Sequence, residues 1–196
     1  MTTAKTNRQI ILENAFELIY KKGYQTTSID EIIATTKVTK GSFYYHFKTK
    51  DKMGIAMVNE IIKPIIQDTF VIPLSNTEKP LEQIYLMTKS LLLENPFLKL
   101  EYGCPAGNLT QEMTPWNIEF SKALNEIILE WQTALENCLS KAKDDKIIRQ
   151  NVNPKHVALF ITSGYWGIRN FGKIYNNNDS YYSYLEELKI YLGNLK

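Results

Sequence analysis

Apolar residues recur at helical spacing along most of the chain, and no stretch alternates in the way typical of paired strands. The first helix is predicted over residues 7–22, because Ile11, Ala15 and Ile19 fall on one side of it. Gly23 follows and suits the left-handed conformation in which many helices end. The pattern therefore predicts an all-α protein.

Two short helices are predicted next, each with its own start signal. Ser28 begins the first, and Glu31 three residues later completes a capping box, in which each side chain accepts a hydrogen bond from the other residue's backbone N–H. A tight turn at residues 36–38 leads to the second, for which Thr39 is the predicted N-cap. Two short helices joined by such a turn form a helix-turn-helix.

The second of these short helices has two unlike faces. At about 100° per residue, Phe43 and Phe47 lie close together and can dock on the preceding helices. Gly41 and Tyr45 then lie on the opposite, outer face. An exposed glycine inside a helix costs roughly 1 kcal/mol relative to alanine, and its use is to let the backbone come close to another molecule. The residues that flank this outer face are Lys40, Ser42 and Tyr44.

The remainder of the chain predicts longer helices. One covers residues 51–70, and Pro64 inside it is expected to kink or split it near Ile62. A polar loop follows at residues 75–77. Further helices are predicted over residues 81–93, 114–143, 153–175 and 180–195, with a less regular segment at residues 97–113. We expect about nine helices in all.

Charge is distributed unevenly along the 196 residues, although the net charge is only +2. Residues 1–52 contain nine Lys or Arg and five acids, which gives 9 − 5 = +4. The remainder has 23 − 9 = 14 basic and 21 − 5 = 16 acidic groups, which gives −2. A basic N-terminal head (residues 1–50) on a mildly acidic body (residues 51–196) favours an anionic partner for the head, with a solvated basic face as the alternative.

Other classes of protein find little support in the sequence. Two cysteines are too few for a disulfide scaffold or a zinc site. The polar N-terminus lacks a secretory signal, and no apolar run reaches about 18 residues, so we expect a cytoplasmic protein without a membrane span. The two histidines lie far apart in sequence and no nucleophile or zinc-hydrolase motif occurs, so we expect no enzyme, metal or cofactor.

The head resembles a known family at this point. The head has three predicted helices, and its third reads Thr-Lys-Gly-Ser-Phe-Tyr-Tyr-His-Phe-Lys-Thr-Lys-Asp at positions 39–51, which resembles the tetracycline-repressor (TetR) family of bacterial transcription regulators. The resemblance covers about residues 7–57. The motif positions in register are Gly23, Tyr24, Thr27, Ser28, Ile32, Lys40, Gly41 and residues 44–47. In the body, residues 102–109 resemble one subgroup of these regulators.

The resemblance implies a helix-turn-helix DNA-binding domain at residues 1–50 and a ligand-binding and dimerisation domain at residues 51–196. It implies a homodimer whose heads bind successive major grooves of a palindromic operator on double-stranded DNA, and a small-molecule inducer that weakens or alters this binding. The candidates for reaching base edges are Lys37, Thr39, Lys40, Gly41, Ser42 and Tyr44. The candidates for phosphate contacts are Thr27, Ser28, Tyr45, His46, Lys48 and Lys50.

Plainer roles remain open for several of these residues. Tyr44 and Tyr45 can instead pack between head and body, and His46 can simply cap or pack its helix. Cys104 is either a redox-sensing thiol or a small apolar residue beside a proline.

The body contains an aromatic and polar mixture of the kind that lines ligand pockets, with ordinary bundle core as the alternative. Its candidate ligand-binding residues are Tyr85, Phe97, Tyr102, Asn108, Met113, Trp116, Phe120, Phe160, Ser163, Trp166 and Arg169. Arg169 lies among apolar neighbours and needs a partner, which can be an acidic ligand, a carboxylate of the body or water.

As the resemblance implies, two copies are expected to pair through the last two helices. The candidate interface residues are Val157, Ile161, Ile168, Tyr181, Leu185 and Leu192. The expected switch is a ligand-driven shift of the helix at residues 51–70, which is joined to the recognition helix through residues 48–50. Two other functions stay open: a helical small-molecule-binding protein with weak or no specific DNA binding, and an activator of the same family.

Overall fold

The computed structural model describes residues 5–75 and 77–196, and within them every regular element is a helix. Residues 1–4, part of the polar N-terminus, and Asn76 in the predicted loop lie outside the described residues. The α-helices are α1 Asn7–Lys22, α2 Ile29–Ala34, α3 Lys40–His46, α4 Lys50–Met57, α5 Lys63–Ile66, α6 Pro80–Leu93, α7 Pro105–Met113, α8 Ile118–Asp144, α9 Pro154–Tyr175 and α10 Asp179–Gly193. With α4 and α5 taken as one interrupted helix, the described part of the chain has nine, and the all-α prediction is confirmed.

The chain divides into two compact units. The first combines the described residues up to Pro64 with Pro105–Asn125, and the second combines Ile65–Cys104 with Glu126–Lys196. The boundary predicted between residues 50 and 51 separates a DNA-binding domain from a ligand-binding domain by function. The compact units follow a different boundary, and the functional division stays a prediction.

Local capping signals give the head its three helices. Thr6 and Gln9 form a capping box at α1, and Ser28 and Glu31 form the predicted one at α2. The Thr39 hydroxyl accepts a hydrogen bond from the Ser42 N–H, which begins α3 where the sequence predicts it. Each cap satisfies backbone N–H groups that have no partner inside the helix, so the three starts are fixed by adjacent residues.

A proline interrupts the helical segment that follows the head. Residues Val58–Ile62 and Gln67–Val71 are π-helical, on either side of α5. Pro64 has no N–H to donate to the preceding turn, which favours wider turns beside it. The predicted interruption near Ile62 is confirmed.

Two helix starts differ from the prediction. The segment at residues 97–113, predicted as less regular, contains α7, which begins at Pro105 just after Gly103 with φ 74°. Helix α8 begins at Ile118 rather than at residue 114, because the Asn117 side chain accepts hydrogen bonds from the N–H groups of Glu119 and Phe120. Pro105 thus lies in the first turn of a helix, whereas Pro115 lies before the start of α8.

The second unit has an aromatic core. The rings of Phe70, Trp131 and Tyr165 meet edge to face, with centroids 4.8 to 5.4 Å apart. Tyr181 of α10 lies against Gly172 of α9, where an added Cβ would stand 2.4 Å from the tyrosine ring. None of the helices in residues 5–75 and 77–196 is both long and apolar enough to cross a membrane.

Two glycines of the first unit give a matched stability prediction. A Cβ at Gly54 would stand 2.5 Å from Phe120 and 2.7 Å from Tyr24, two rings that are fully buried, whereas a Cβ at Gly41 would approach only the Thr39 hydroxyl, at 3.9 Å. Gly54→Ala is expected to lower the free energy of unfolding by about 1–3 kcal/mol through overpacking. Gly41→Ala is expected to leave it unchanged or raise it by up to about 1 kcal/mol. Urea unfolding followed by circular dichroism checks both, and equal losses would contradict the packing described.

The cap of α2 gives a pH prediction. The Lys22 ammonium and the Ser28 N–H hold the pKa of Glu31 down from 4.5 to about 2. Because the folded-state pKa is lowered, the stabilisation is present above about pH 4.5 and is lost as the pH falls towards 2. Glu31→Gln keeps the cap and removes the charge, so its thermal midpoint should lie below that of the wild type at pH 7 and approach it only as the pH falls to about 2. A difference that stays constant from pH 7 down to pH 2 would contradict this assignment.

Candidate nucleic-acid interface and ligand cavity

Helix α3 presents the two faces that its sequence predicts. Phe43 and Phe47 are buried, with relative exposures of 0% and 3%. Tyr45 is 79% exposed, and Tyr44 is 41% exposed with its ring edge against Phe43. The outer face therefore carries an exposed aromatic side chain that the first unit does not cover.

Gly41 lies on the same outer face. An added Cβ would meet no atom closer than the Thr39 hydroxyl, and its backbone has no positive φ. Neither packing within the chain nor backbone geometry therefore requires glycine here, although glycine weakens a helix. A backbone that is open at this point can be approached closely by another molecule.

The lysines on and beside the outer face differ in their hydrogen-bond and ion-pair partners. Lys37 and Lys48 are exposed, and the Lys48 Nζ lies 3.5 Å from the Tyr44 carbonyl oxygen. Lys40 pairs with Asp30 at 2.8 Å, and this hydrogen bond and charge raise the pKa of the lysine. Both partners are largely exposed, so the pair contributes little stability and can be exchanged for a phosphate.

Two predicted phosphate contacts turn their side chains into the head. Thr27 is fully buried, and its hydroxyl donates a 2.7 Å hydrogen bond to the Gly23 carbonyl, so it has no surface left for a phosphate. Lys50 is half-buried, donates to the Tyr24 carbonyl at 2.5 Å and stands 4.3 Å from the centre of that ring, and its phosphate contact stays a prediction. Partial burial also lowers the pKa of Lys50. Helical periodicity did not show either direction, because Thr27 lies in a turn and Lys50 is the first residue of α4.

The other predicted contacts stay predictions. Ser28 is exposed while its hydroxyl caps α2, and Thr39 is exposed while it caps α3. Ser42 accepts a hydrogen bond from the Asn7 amide at 3.2 Å. His46 is half-buried, with its ring 5.1 Å from that of Tyr45.

Arg8 supports the recognition helix, a role that no motif of the chain predicted. Its guanidinium lies 4.6 Å from the centre of the Phe47 ring and donates two hydrogen bonds to Glu60, one of them at 3.1 Å. The planar guanidinium of arginine can stack on an aromatic ring and bind a carboxylate at the same time. The end of α3 is thus fastened to the segment after α4 within the first unit.

The predicted pocket residues do not gather in one cavity. Asn108, Met113, Trp116 and Phe120 belong to the first unit, where Trp116 is 81% exposed and Phe120 is fully buried. The other seven belong to the second unit, and they are Tyr85, Phe97, Tyr102, Phe160, Ser163, Trp166 and Arg169. Phe97 and Phe160 are exposed there.

A cavity with a volume of about 960 Å³ lies in the second unit. One wall is the π-helical stretch Gln67–Val71, and the other is one face of α8. Its lining residues are Gln67, Val71, Leu74, Ser75, Thr77, Glu126, Leu129, Glu130, Thr133, Ala134, Asn137, Cys138 and Lys141. None of the eleven predicted pocket residues is among them.

Arg169 has a partner that the sequence did not suggest. Its guanidinium is fully buried and donates to the carbonyl oxygens of Lys99, at 2.8 Å, and of Gly103. Both acceptors are main-chain carbonyls of the loop before α7, a kind of partner that the sequence did not suggest.

Most of the predicted interface residues lie inside their own chain. Val157, Ile161, Tyr181, Leu185 and Leu192 are all at most 6% exposed, and Ile168 is half-buried. The five buried residues are covered by the second unit itself and offer no surface to a partner, whereas Ile168 stays a prediction. Apolar periodicity found the buried face of each helix and not the face left for a partner.

Comparison with known proteins agrees with this geometry. Residues 11–57 match the profile described as bacterial regulatory proteins, tetR family, and residues 86–187 match that of the tetracyclin repressor-like C-terminal domain. An uncharacterised HTH-type transcriptional regulator of Lactococcus lactis subsp. lactis is 31% identical over 155 residues, which is 79% of each chain. The HTH-type transcriptional repressor DhaR of Mycobacterium sp. is 25% identical over 82% of this chain and 79% of its own.

Solved structures show the same fold. A TetR transcriptional regulator from Chloroflexus aurantiacus superposes with a TM-score of 0.84 at 23% identity, covering 95% of this chain and 93% of that one. The reduced form of E. coli NemR superposes with a TM-score of 0.81 at 19% identity over 97% of both chains. With both halves of the sequence matched and the helix-turn-helix in place, the chain belongs to the tetR family of bacterial regulatory proteins and is a DNA-binding transcriptional regulator.

Proposed function

We propose that this regulator is a cytoplasmic repressor that acts as a homodimer. Its two heads bind successive major grooves of a palindromic operator, and a small molecule bound in the second unit releases them. The outer face of α3 enters the groove, because that face combines an open backbone at Gly41 with the exposed ring of Tyr45 and the lysines beside them.

The observation that carries this proposal is the glycine at position 41. Neither the packing within the chain nor the backbone conformation requires a glycine at this position, and glycine weakens the helix. An external backbone that must come closer than a methyl group permits is the reason that remains. The sugar-phosphate chain that borders the major groove is such a backbone, and lysines beside it supply the counterion release on which DNA affinity depends.

The dimer is proposed to form through the outward face of α9. At about 100° per residue, Phe160, Gly167, Phe171 and Ile174 lie on one stripe of this helix, on the side away from its buried residues. The three apolar side chains are 49% to 73% exposed. Gly167 has nothing within 4 Å of an added Cβ, so it leaves room for a second helix to approach closely.

The inducer is proposed to bind in the 960 Å³ cavity between Gln67–Val71 and α8. Its volume falls in the range usual for small-molecule sites, and its lining combines apolar side chains with polar and charged ones. Gln67 bridges the two walls by donating a 3.2 Å hydrogen bond to Glu130. A ligand that separates these walls would shift the interrupted helix that continues from α4, which is the proposed switch.

Substitution of the outer face tests DNA binding. An operator selected from random duplex DNA with the wild-type protein serves as the probe in a fluorescence-anisotropy titration. Gly41→Ala and the double variant Tyr45→Ala, Lys40→Ala are each expected to weaken binding at least about tenfold, since each removes a close approach or a contact worth about 1–3 kcal/mol.

The matched control is Lys21→Ala, which removes an exposed lysine of α1 outside the proposed contact set. Its affinity should stay within about twofold of the wild type, because one distant charge changes only the weak long-range attraction. If the Gly41 and Tyr45 variants, with unchanged unfolding curves, bound as tightly as this control, the operator-reading role of α3 would be refuted.

Charge on the outward face of α9 tests the dimer. Ile174→Glu is expected to give a monomer at micromolar concentration in sedimentation velocity, because a carboxylate would be buried against an apolar partner surface. Leu86→Glu on α6 is the control, since that residue is also exposed and apolar but lies off the stripe. A wild-type protein that sediments as a monomer, or an Ile174→Glu protein that stays a dimer, would contradict the proposed interface.

A further inference from the structure

A carboxylate from α7 is seated on the turn between α1 and α2. Glu112 accepts a 2.8 Å hydrogen bond from the Tyr24 N–H with one oxygen and a 2.5 Å hydrogen bond from the Gln25 N–H with the other. Tyr24 is only 2% exposed, so its N–H has no access to bulk water. Hydrogen bonds from backbone N–H groups to an ionised carboxylate are about twice as strong as neutral ones.

The turn is shaped to hold this carboxylate. Gly23 has φ 97°, and a Cβ built on it would lie 3.3 Å from one Glu112 oxygen. Two successive N–H groups beside a residue with positive φ form a concave site for an anion. The anion that fills it here belongs to the same chain, 87 and 88 residues further along.

A second attachment lies beside the first. The Tyr24 hydroxyl donates a 2.6 Å hydrogen bond to Asp51, and the Asn117 amide donates to the other oxygen of that carboxylate at 3.0 Å. Burial, and next the hydrogen bond to Asp51, raise the pKa of Tyr24, which keeps the phenol protonated as the donor. Lys52 of α4 also pairs with Glu119 of α8 at 2.8 Å. Residues of α7 and of the start of α8 therefore contact the head at the turn between α1 and α2, and contact the start of α4.

We infer that Glu112 is a positioning residue for DNA binding, which fixes the orientation of the helix-turn-helix on α7 and on the first turns of α8. This inference rests on the proposed function, in which two heads must reach major grooves about 34–36 Å apart or a multiple of that distance. Residues 47–49 are the covalent link from α3 to α4, and such a short link alone permits the head to swivel. The Glu112 contact limits that freedom from the side of α7, together with the contacts of Arg8 with Glu60 and of Tyr24 with Asp51.

Two properties of DNA binding, the affinity for one half-site and the preference for one half-site spacing, would then depend on different residues. Residues on the outer face of α3 determine how tightly one head binds one half-site. Glu112 touches no DNA and instead determines how strictly the two half-sites must be spaced. Loss of its carboxylate would therefore cost the dimer its preference for one spacing, and leave the single head its affinity.

The test is Glu112→Gln in the full-length protein, because glutamine keeps the size of the side chain and loses one of the two acceptors. Three duplex probes are used: the selected operator, the same operator with two base pairs inserted between its half-sites, and a single half-site. The ratio of affinities between the first two is expected to fall about tenfold in the variant, the loss of roughly one charged hydrogen bond. The affinity for the single half-site should stay within about twofold of the wild type.

Glu101→Gln is the control, since it removes an exposed carboxylate by the same change and should leave all three affinities as they are. An unchanged spacing ratio in Glu112→Gln overturns the inference. So does a half-site affinity that falls in parallel with the operator affinity, because Glu112 would then only stabilise the fold of the head. If the wild-type protein itself shows no spacing preference, the two-headed binding of the proposed function fails, and this inference fails with it.

Discussion

The burial of Phe43 and Phe47 against the first two helices is the contact on which the DNA-binding surface depends. Both rings are closed off from water, and Arg8 stacks on the second of them while it holds Glu60. A recognition helix of seven residues has too few internal hydrogen bonds to be stable alone, so its orientation comes from these two anchors. Because these two rings are buried, the opposite face of α3, with Gly41 and Tyr45, is turned towards solvent.

The head was predictable because its determinants are local. Capping residues at Ser28 and Thr39, and the spacing of Phe43 and Phe47, determine helix starts and faces within a few residues of themselves. The inward direction of the Thr27 and Lys50 side chains was not predictable, for the opposite reason. Both point inward because of carbonyl groups presented by the turn at residues 23–24, and a sequence does not show where such carbonyls will lie.

The long helices of the second unit show a different limit. Along α9 the residues with the clearest helical period, such as Ile161 and Tyr165, form the core of their own chain. The residues left outside, such as Phe160 and Ile174, are apolar too, so hydrophobicity alone does not separate a core from an interface. The cavity beside α8 was missed because its lining alternates acids, amides and small residues that read as an ordinary exposed face.

The ion pairs of the first unit determine what a phosphate must replace when the head binds DNA. Lys5, Arg8, Lys22, Lys40 and Lys52 each have a carboxylate partner, and the Lys50 ammonium is hydrogen-bonded to the Tyr24 carbonyl. At each paired cation that DNA contacts, a phosphate takes the place of a carboxylate. Because these pairs are partly or largely exposed, the replacement costs little free energy, and the pairing leaves the cations available to DNA.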